Sequence, residues 1–150
     1  MDQEARSWRE NASQQAQDDL ESLFAECMDV AFQLLSKNKA FYPFALTLSK
    51  DGKFAIAGTF NGEEHPLSQD VVSELKAALT MSRNEIKAAA IVDDVKVDRR
   101  YDAVRASMEH CEGTAIEIIV PYEMSGIFKK VKLKTEESAA FPIERYIWND

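Results

Sequence analysis

The sequence predicts an α+β fold of two layers, in which a mostly antiparallel sheet of five to six strands carries two helices on one face. Three observations predict this class. Two stretches have apolar residues at helical spacing, two pairs of alternating stretches are joined by turns that contain glycine, and each stretch is apolar on one side only. Packing both helices on one face of the sheet is the simplest way to bury those sides. The expected element order is α-β-β-α-β-β-β.

The length and composition fit one folded domain. The chain has 150 residues, of which 45% are hydrophobic and 29% are charged, and such a chain can bury a sizeable core. We expect residues 13–150 to form a single α+β domain. Residues 1–12 are polar and irregular, and we expect them to form a flexible N-terminal segment.

The first helix is predicted near residues 14–37. Its apolar residues recur every three or four positions, while Asp18, Glu21 and Asp29 lie on the opposite side. The apolar set is Leu20, Leu23, Phe24, Cys27, Ala31, Leu34 and Leu35. Pro43 disfavours helical backbone at the residue before it, so the chain is expected to continue as a strand.

Two hairpins follow from alternating apolar residues on either side of a glycine. In each hairpin a three-residue loop, at 50–52 and at 111–113, places the large apolar side chains of both strands on one face. A two-residue loop would separate them onto opposite faces. The expected pairs are Leu48 with Phe54 and Leu46 with Ile56 in the first hairpin, and His110 with Thr114 and Met108 with Ile116 in the second.

The remaining elements are placed by capping and alternation. The second helix is expected to begin at Pro66-Leu67-Ser68, with Ser68 as its cap, and to end near Ser82. Strand 3 is expected over 88–97. Strand 6 is expected over 127–134, with lysines on its outer face that protect a sheet edge. The aromatic tail, residues 141–148, is expected to pack back on the domain.

Charge and cysteine usage restrict the class of partner. The net charge is −8, and residues 1–29 carry eight acids against Arg6 and Arg9, a local charge of −6. We therefore expect no nucleic-acid partner. No apolar stretch is long enough to span a bilayer, so no membrane partner is expected. Cys27 and Cys111 match no metal spacing, which predicts reduced thiols and a cytoplasmic location.

No motif in the sequence predicts a catalytic residue, a cofactor or a metal. A thiol nucleophile needs a nearby base, and His110 precedes Cys111 directly. Consecutive strand residues point to opposite faces, so we expect the imidazole not to reach the thiol. If the chain instead holds a small-molecule pocket between sheet and helices, the candidate binding residues are Arg105, Glu109, His110 and Tyr122. Arg105 and Glu109 should face away from His110, which argues against their convergence.

Several short motifs resemble those of small uncharacterised bacterial α+β proteins of unknown function. The motifs are Asp102-Ala103-Val104-Arg105, Glu109-His110, Gly113 and Pro121-Tyr122, with Pro43-Phe44-Ala45, Asp51-Gly52 and the aromatic end Arg145-Tyr146-Ile147-Trp148. The resemblance implies this fold and a bacterial origin, and it implies no activity.

The predicted function is a non-enzymatic binding or protein-interaction module. Its partner is expected to be another protein or a second copy of the chain, as a homodimer through a free sheet face or the strand 6 edge. One concrete form is an acidic inhibitor or immunity-type protein that meets a basic partner through its first helix. The alternative is a small-molecule-binding protein or weak enzyme with the pocket described above.

Overall fold

The computed structural model describes residues 8–57 and 68–149 as an antiparallel sheet with helices on both faces. The elements are α1 (Gln14–Asn38), β1 (Phe44–Ser49), β2 (Phe54–Ala57), α2 (Ser68–Met81), β3 (Ile86–Val97), β4 (Tyr101–His110), β5 (Ala115–Ser125), β6 (Lys130–Leu133), a 3-10 turn (Thr135–Glu137) and β7 (Ala139–Pro142). The strands lie in the order β2-β1-β3-β4-β5-β6, and β7 also pairs with β5. The α+β class is confirmed. The sheet has seven strands rather than five to six, because the tail contributes β7.

Helix α1 begins and ends close to the predicted residues. Its first turn is capped by Ser13, whose hydroxyl accepts the Ala16 N–H at 3.0 Å. At the other end Lys39 takes a left-handed conformation, with φ of 66°, and its N–H donates to the Leu35 carbonyl at 2.8 Å. One side of the helix lies in the core, where Leu20 and Leu23 are fully buried. The apolar periodicity therefore predicts both the extent and the inner side of this helix.

Both hairpins have the predicted registers. Leu48 pairs with Phe54 and Leu46 with Ile56 in the first hairpin, and Met108 pairs with Ile116 in the second. Gly52 and Gly113 supply the positive φ that the three-residue loops require, at 86° and 120°.

The two helices lie on opposite faces of the sheet, so the predicted two-layer arrangement with both helices on one face is wrong. Ala88, Ala90 and Val92 of β3 belong to the core under α1. Ala89 and Ile91 belong to a second core with α2 and the tail. Strand β3 is apolar on both sides, and such a strand can be covered on both faces. The sheet face that we considered free for a dimer is therefore covered where α2 and the tail pack.

Several elements begin or end at residues other than those expected from the sequence. A helical turn at 8–10 precedes α1, and Trp8 within it packs into the core under α1; residues 1–7 lie outside the described residues. The predicted cap of the second helix falls on Pro66, Leu67 and the side chain of Ser68, also outside the described residues. Residues 127–129 form a turn rather than the start of strand 6. The tail packs on the domain as predicted, with Ile147 fully buried.

Among the described residues, no helix is both long enough and apolar enough to cross a membrane.

Candidate functional site

The four predicted binding residues do not converge on one site. Each of them makes its polar contacts within a separate local network, and no two of them line the same described cleft. Arg105 and Glu109 lie on the α2 side of β4, whereas His110 lies on the α1 side. The sequence expectation that these side chains diverge is consistent with this placement.

Arg105 forms a paired contact with a carboxylate on the neighbouring strand. Asp93 lies directly opposite Arg105 in the β3–β4 register, and the guanidinium donates to its two oxygens at 3.0 and 2.6 Å. Glu117 lies 3.6 Å away on the other side. The contact with Asp93 raises the pKa of Arg105. Arg105 also lines a cleft of about 400 Å³ between α2, the sheet and the tail, but its charge is already neutralised there.

Glu109 is a buried carboxylate that fixes the C-terminal tail. Its side chain has no solvent exposure. The backbone N–H groups of Tyr146, Ile147 and Trp148 donate to its oxygens at 2.7, 2.9 and 2.9 Å, respectively. Arg145 Nε lies 3.4 Å from the same carboxylate. The sequence placed Glu109 on the sheet face away from His110, and its role in holding the tail was missed because that role depends on a segment more than 35 residues away.

His110 pairs with an acidic residue on the inner side of α1. Its Nε2 lies 2.8 Å from Asp19 Oδ2, and both residues are buried. Lys87 Nζ lies 3.1 Å from the other Asp19 oxygen, which also accepts a hydrogen bond from Gln15 at 2.8 Å. Burial alone would raise the pKa of Asp19, but the hydrogen bonds from His110, Lys87 and Gln15 outweigh it and lower that pKa. The carboxylate therefore stays charged at neutral pH.

The imidazole does come near the adjacent thiol, contrary to our expectation. Cys111 Sγ lies 4.0 Å from His110 Nδ1, because β4 ends at His110 and the alternation of a strand no longer applies at Cys111. The order carboxylate, imidazole, thiol is the connectivity of a nucleophile with its base. However, Nδ1 already accepts the Glu112 N–H at 3.1 Å. Partial burial of the sulfur and the charge of Glu112 raise the pKa of the Cys111 thiol, so the thiolate is disfavoured.

Tyr122 contacts a third carboxylate. Its hydroxyl donates to Asp94 Oδ1 at 2.6 Å. Burial and this hydrogen bond raise the pKa of Tyr122, and burial raises the pKa of Asp94. Tyr122 lines an open cleft of about 610 Å³ at the sheet end that holds Tyr101 and Lys134. Arg105, Glu109 and His110 do not line that cleft.

Within residues 8–57 and 68–149, no group of three or more histidine, cysteine or acidic side chains is placed to hold a metal ion. The buried polar residues of the described chain are Asp19, Asp93, Glu109 and His110. Each of them makes at least one hydrogen bond within the protein. These four groups stabilise the fold through contacts that are already formed.

The outer side of α1 presents a row of exposed residues that includes three acids, which we call the acidic stripe. It consists of Asp18, Glu21, Ala25, Asp29 and Phe32, all exposed and spaced three or four residues apart. Phe32 keeps 42% of its surface exposed. Glu21 pairs with Arg9, and residues 14–36 contain no lysine, arginine or histidine. The sequence predicted the acidic side of this helix, with Asp18, Glu21 and Asp29, whereas the neighbouring Asp19 points inward to His110.

Comparison of the chain with protein-family models, with curated proteins and with solved structures found no match.

Proposed function

We propose that this protein is a non-enzymatic protein-interaction module that binds a basic surface of a partner protein through the acidic stripe. An inhibitor or immunity-type protein is the concrete form of this function. Such proteins are small and acidic, and long-range attraction speeds their association with a positively charged partner.

The acidic stripe is the observation that carries the proposal. The inner side of α1 is packed in the core, so the helix is rigidly held and its outer side is free to contact a partner. Three exposed carboxylates lie along that side, and the exposed ring of Phe32 lies at its C-terminal end, three residues after Asp29. Exposed aromatic residues next to charged ones are typical of protein interfaces. The ring would supply buried contact area, and the carboxylates would orient the partner.

The placement of the polar residues also favours binding over catalysis. An active site needs several polar groups that converge on a cavity and remain free for a substrate. Here Arg105, Glu109, His110 and Tyr122 are already engaged with partners inside the protein. The alternative of a small-molecule pocket required two of them in one cavity wall, and none of the four main clefts between described residues holds more than one of them.

The experiment compares capture by three forms of the chain. The three forms are wild type, the stripe variant Asp18→Lys/Asp29→Lys and the control variant Glu74→Lys/Glu85→Lys. Each form is immobilised and incubated with an extract of cells that naturally express the chain. The control pair removes the same charge at exposed positions outside the stripe. We expect one basic protein to be retained by wild type and by the control, and to be lost from the stripe variant.

The captured protein is then purified and its association rate is measured. We expect the stripe variant to associate about tenfold more slowly at low salt, and the difference to shrink as salt is raised, because the attraction is electrostatic. Equal capture by all three forms would overturn the proposal, as would equal association rates.

A further inference from the structure

The turn between β5 and β6 exposes two large apolar side chains next to each other. Ile127 is 92% exposed and Phe128 is 81% exposed. Gly126 and Lys129, on either side of them, have positive φ of 78° and 52°, which closes the turn and projects the pair outward. Isolated exposed apolar residues are common on protein surfaces, whereas two adjacent and almost fully exposed ones at the end of a hairpin are typical of a contact surface.

Lysines surround this pair. The C-terminal end of α1 lies beside the turn, since Lys39 Nζ donates to the carbonyls of Phe128 and Lys129 at 3.5 and 3.3 Å. Residues 36–40 and 124–134 together contain six lysines and no acidic residue. Lys134 is paired with Glu123 and Glu137. The others are exposed, namely Lys37, Lys39, Lys129, Lys130 and Lys132. We call these five lysines with Ile127 and Phe128 the basic tip.

The basic tip is electrostatically separate from the acidic stripe. A helix rises about 1.5 Å per residue, so Asp29 lies about 15 Å from Lys39 along α1, and Glu21 lies about 27 Å from it. The Debye length at physiological salt is about 8 Å. The acids of α1 are therefore largely screened from the tip. A negatively charged surface that approaches the tip meets a positive field, although the chain as a whole carries a charge of −8.

We propose that the basic tip docks on an anionic lipid surface. Ile127 and Phe128 enter the boundary between headgroups and acyl chains, while the lysines contact the phosphates of the headgroups. Our expectation of no membrane partner came from the lack of a spanning segment, and a peripheral tip does not need one. This proposal concerns a different surface from the acidic stripe, and its failure would leave the proposed function unaffected.

A lipid surface fits the tip better than a protein surface does. A stable protein interface buries about 1,200 Å² or more in total, and it needs a broad, complementary patch. The tip is convex and presents only two apolar side chains. A fluid bilayer closes around such a projection without a matching groove, and it gains from every lysine held near its charge.

The test measures binding of the whole protein to vesicles by co-flotation. One set of vesicles contains phosphatidylcholine alone, and the other contains an equal mixture of phosphatidylcholine and phosphatidylglycerol. We expect binding to the mixed vesicles only, weakening as salt is raised. Ile127→Ser/Phe128→Ser should weaken it by about a hundredfold, and Lys129→Gln/Lys130→Gln by about thirtyfold. These positions are exposed in the folded protein, so circular dichroism should show unchanged folding.

Two control variants match the substitutions in exposure and charge. Met81→Ser removes an apolar side chain that is 87% exposed elsewhere on the surface, and Lys50→Gln/Lys53→Gln removes two lysines from the β1–β2 turn. Both should bind like wild type. Equal binding to the two kinds of vesicle would overturn the proposal, and so would equal loss from tip and control variants. The third outcome combines two results: wild type binds neither kind of vesicle, and the mass of the free protein, measured by light scattering, falls when the tip is mutated. That outcome would overturn the proposal and make the tip a contact between two copies of the chain.

Discussion

Replacing Glu109 with glutamine keeps the size of the side chain and removes its charge. In the wild type, one oxygen accepts the N–H groups of Tyr146 and Ile147, and the other accepts that of Trp148. Glutamine retains one acceptor oxygen and turns an N–H₂ group toward the Trp148 N–H, so one donor faces another. The substitution should therefore loosen the tail and leave the hairpin itself intact.

The expected loss follows from the strength of these bonds. Hydrogen bonds to a charged group contribute about 1.5–3 kcal/mol each, against about 1 kcal/mol for neutral ones. Part of that loss is offset because a neutral side chain is easier to bury. We expect the free energy of unfolding to fall by about 3 kcal/mol, which lowers Tm by about 6–12 °C for a chain of this size.

Urea unfolding followed by tryptophan fluorescence measures this loss, with Glu117→Gln as the control. Glu117 lies on the same sheet face, 3.6 Å from Arg105 and partly exposed, so its neutralisation should change stability by less than about 1 kcal/mol. Deleting residues 146–150 should destabilise Glu109→Gln less than wild type, by about the amount that the glutamine substitution itself costs, since both changes remove the bonds to the carboxylate. Equal stability of the two glutamine variants would refute this account of the tail.

Two further predictions concern the cluster around His110. The pKa of Asp19 lies below its ordinary value of 3.8, so its pairing stabilises the fold above about pH 4 and is lost as pH falls through the lowered pKa. In the Asp19→Asn variant the free energy of unfolding should therefore fall less steeply as pH is lowered through that acid range. The same pH dependence in wild type and variant would contradict the pairing. Because the pKa of Cys111 is raised, its thiol should react with iodoacetamide at neutral pH more slowly than free cysteine, and His110→Gln should not slow it further. A fast reaction abolished by His110→Gln would show instead that the imidazole acts as a base.

The local pattern of the chain was enough to predict α1, α2 and the registers of the two hairpins. The bounds of α1 and the pairing of Leu48 with Phe54 and of Met108 with Ile116 were predicted because helical periodicity and turn geometry act over a few residues. The acidic side of α1, on which the proposed function depends, was predicted for the same reason.

The tertiary structure alone decided which face each helix covers and where the buried polar groups find partners. The alternation of β3 leaves small apolar residues on both sides, so the sequence could not assign α2 to a face. Asp19 lies four residues before Leu23, on the apolar side of α1, with no basic partner nearby in the sequence. Glu109 has the pattern of a residue on an open sheet face. Both are buried because their partners, His110 and the tail backbone, come from distant parts of the chain. Such pairings depend on how whole elements pack, and a pattern read along the chain does not contain that information.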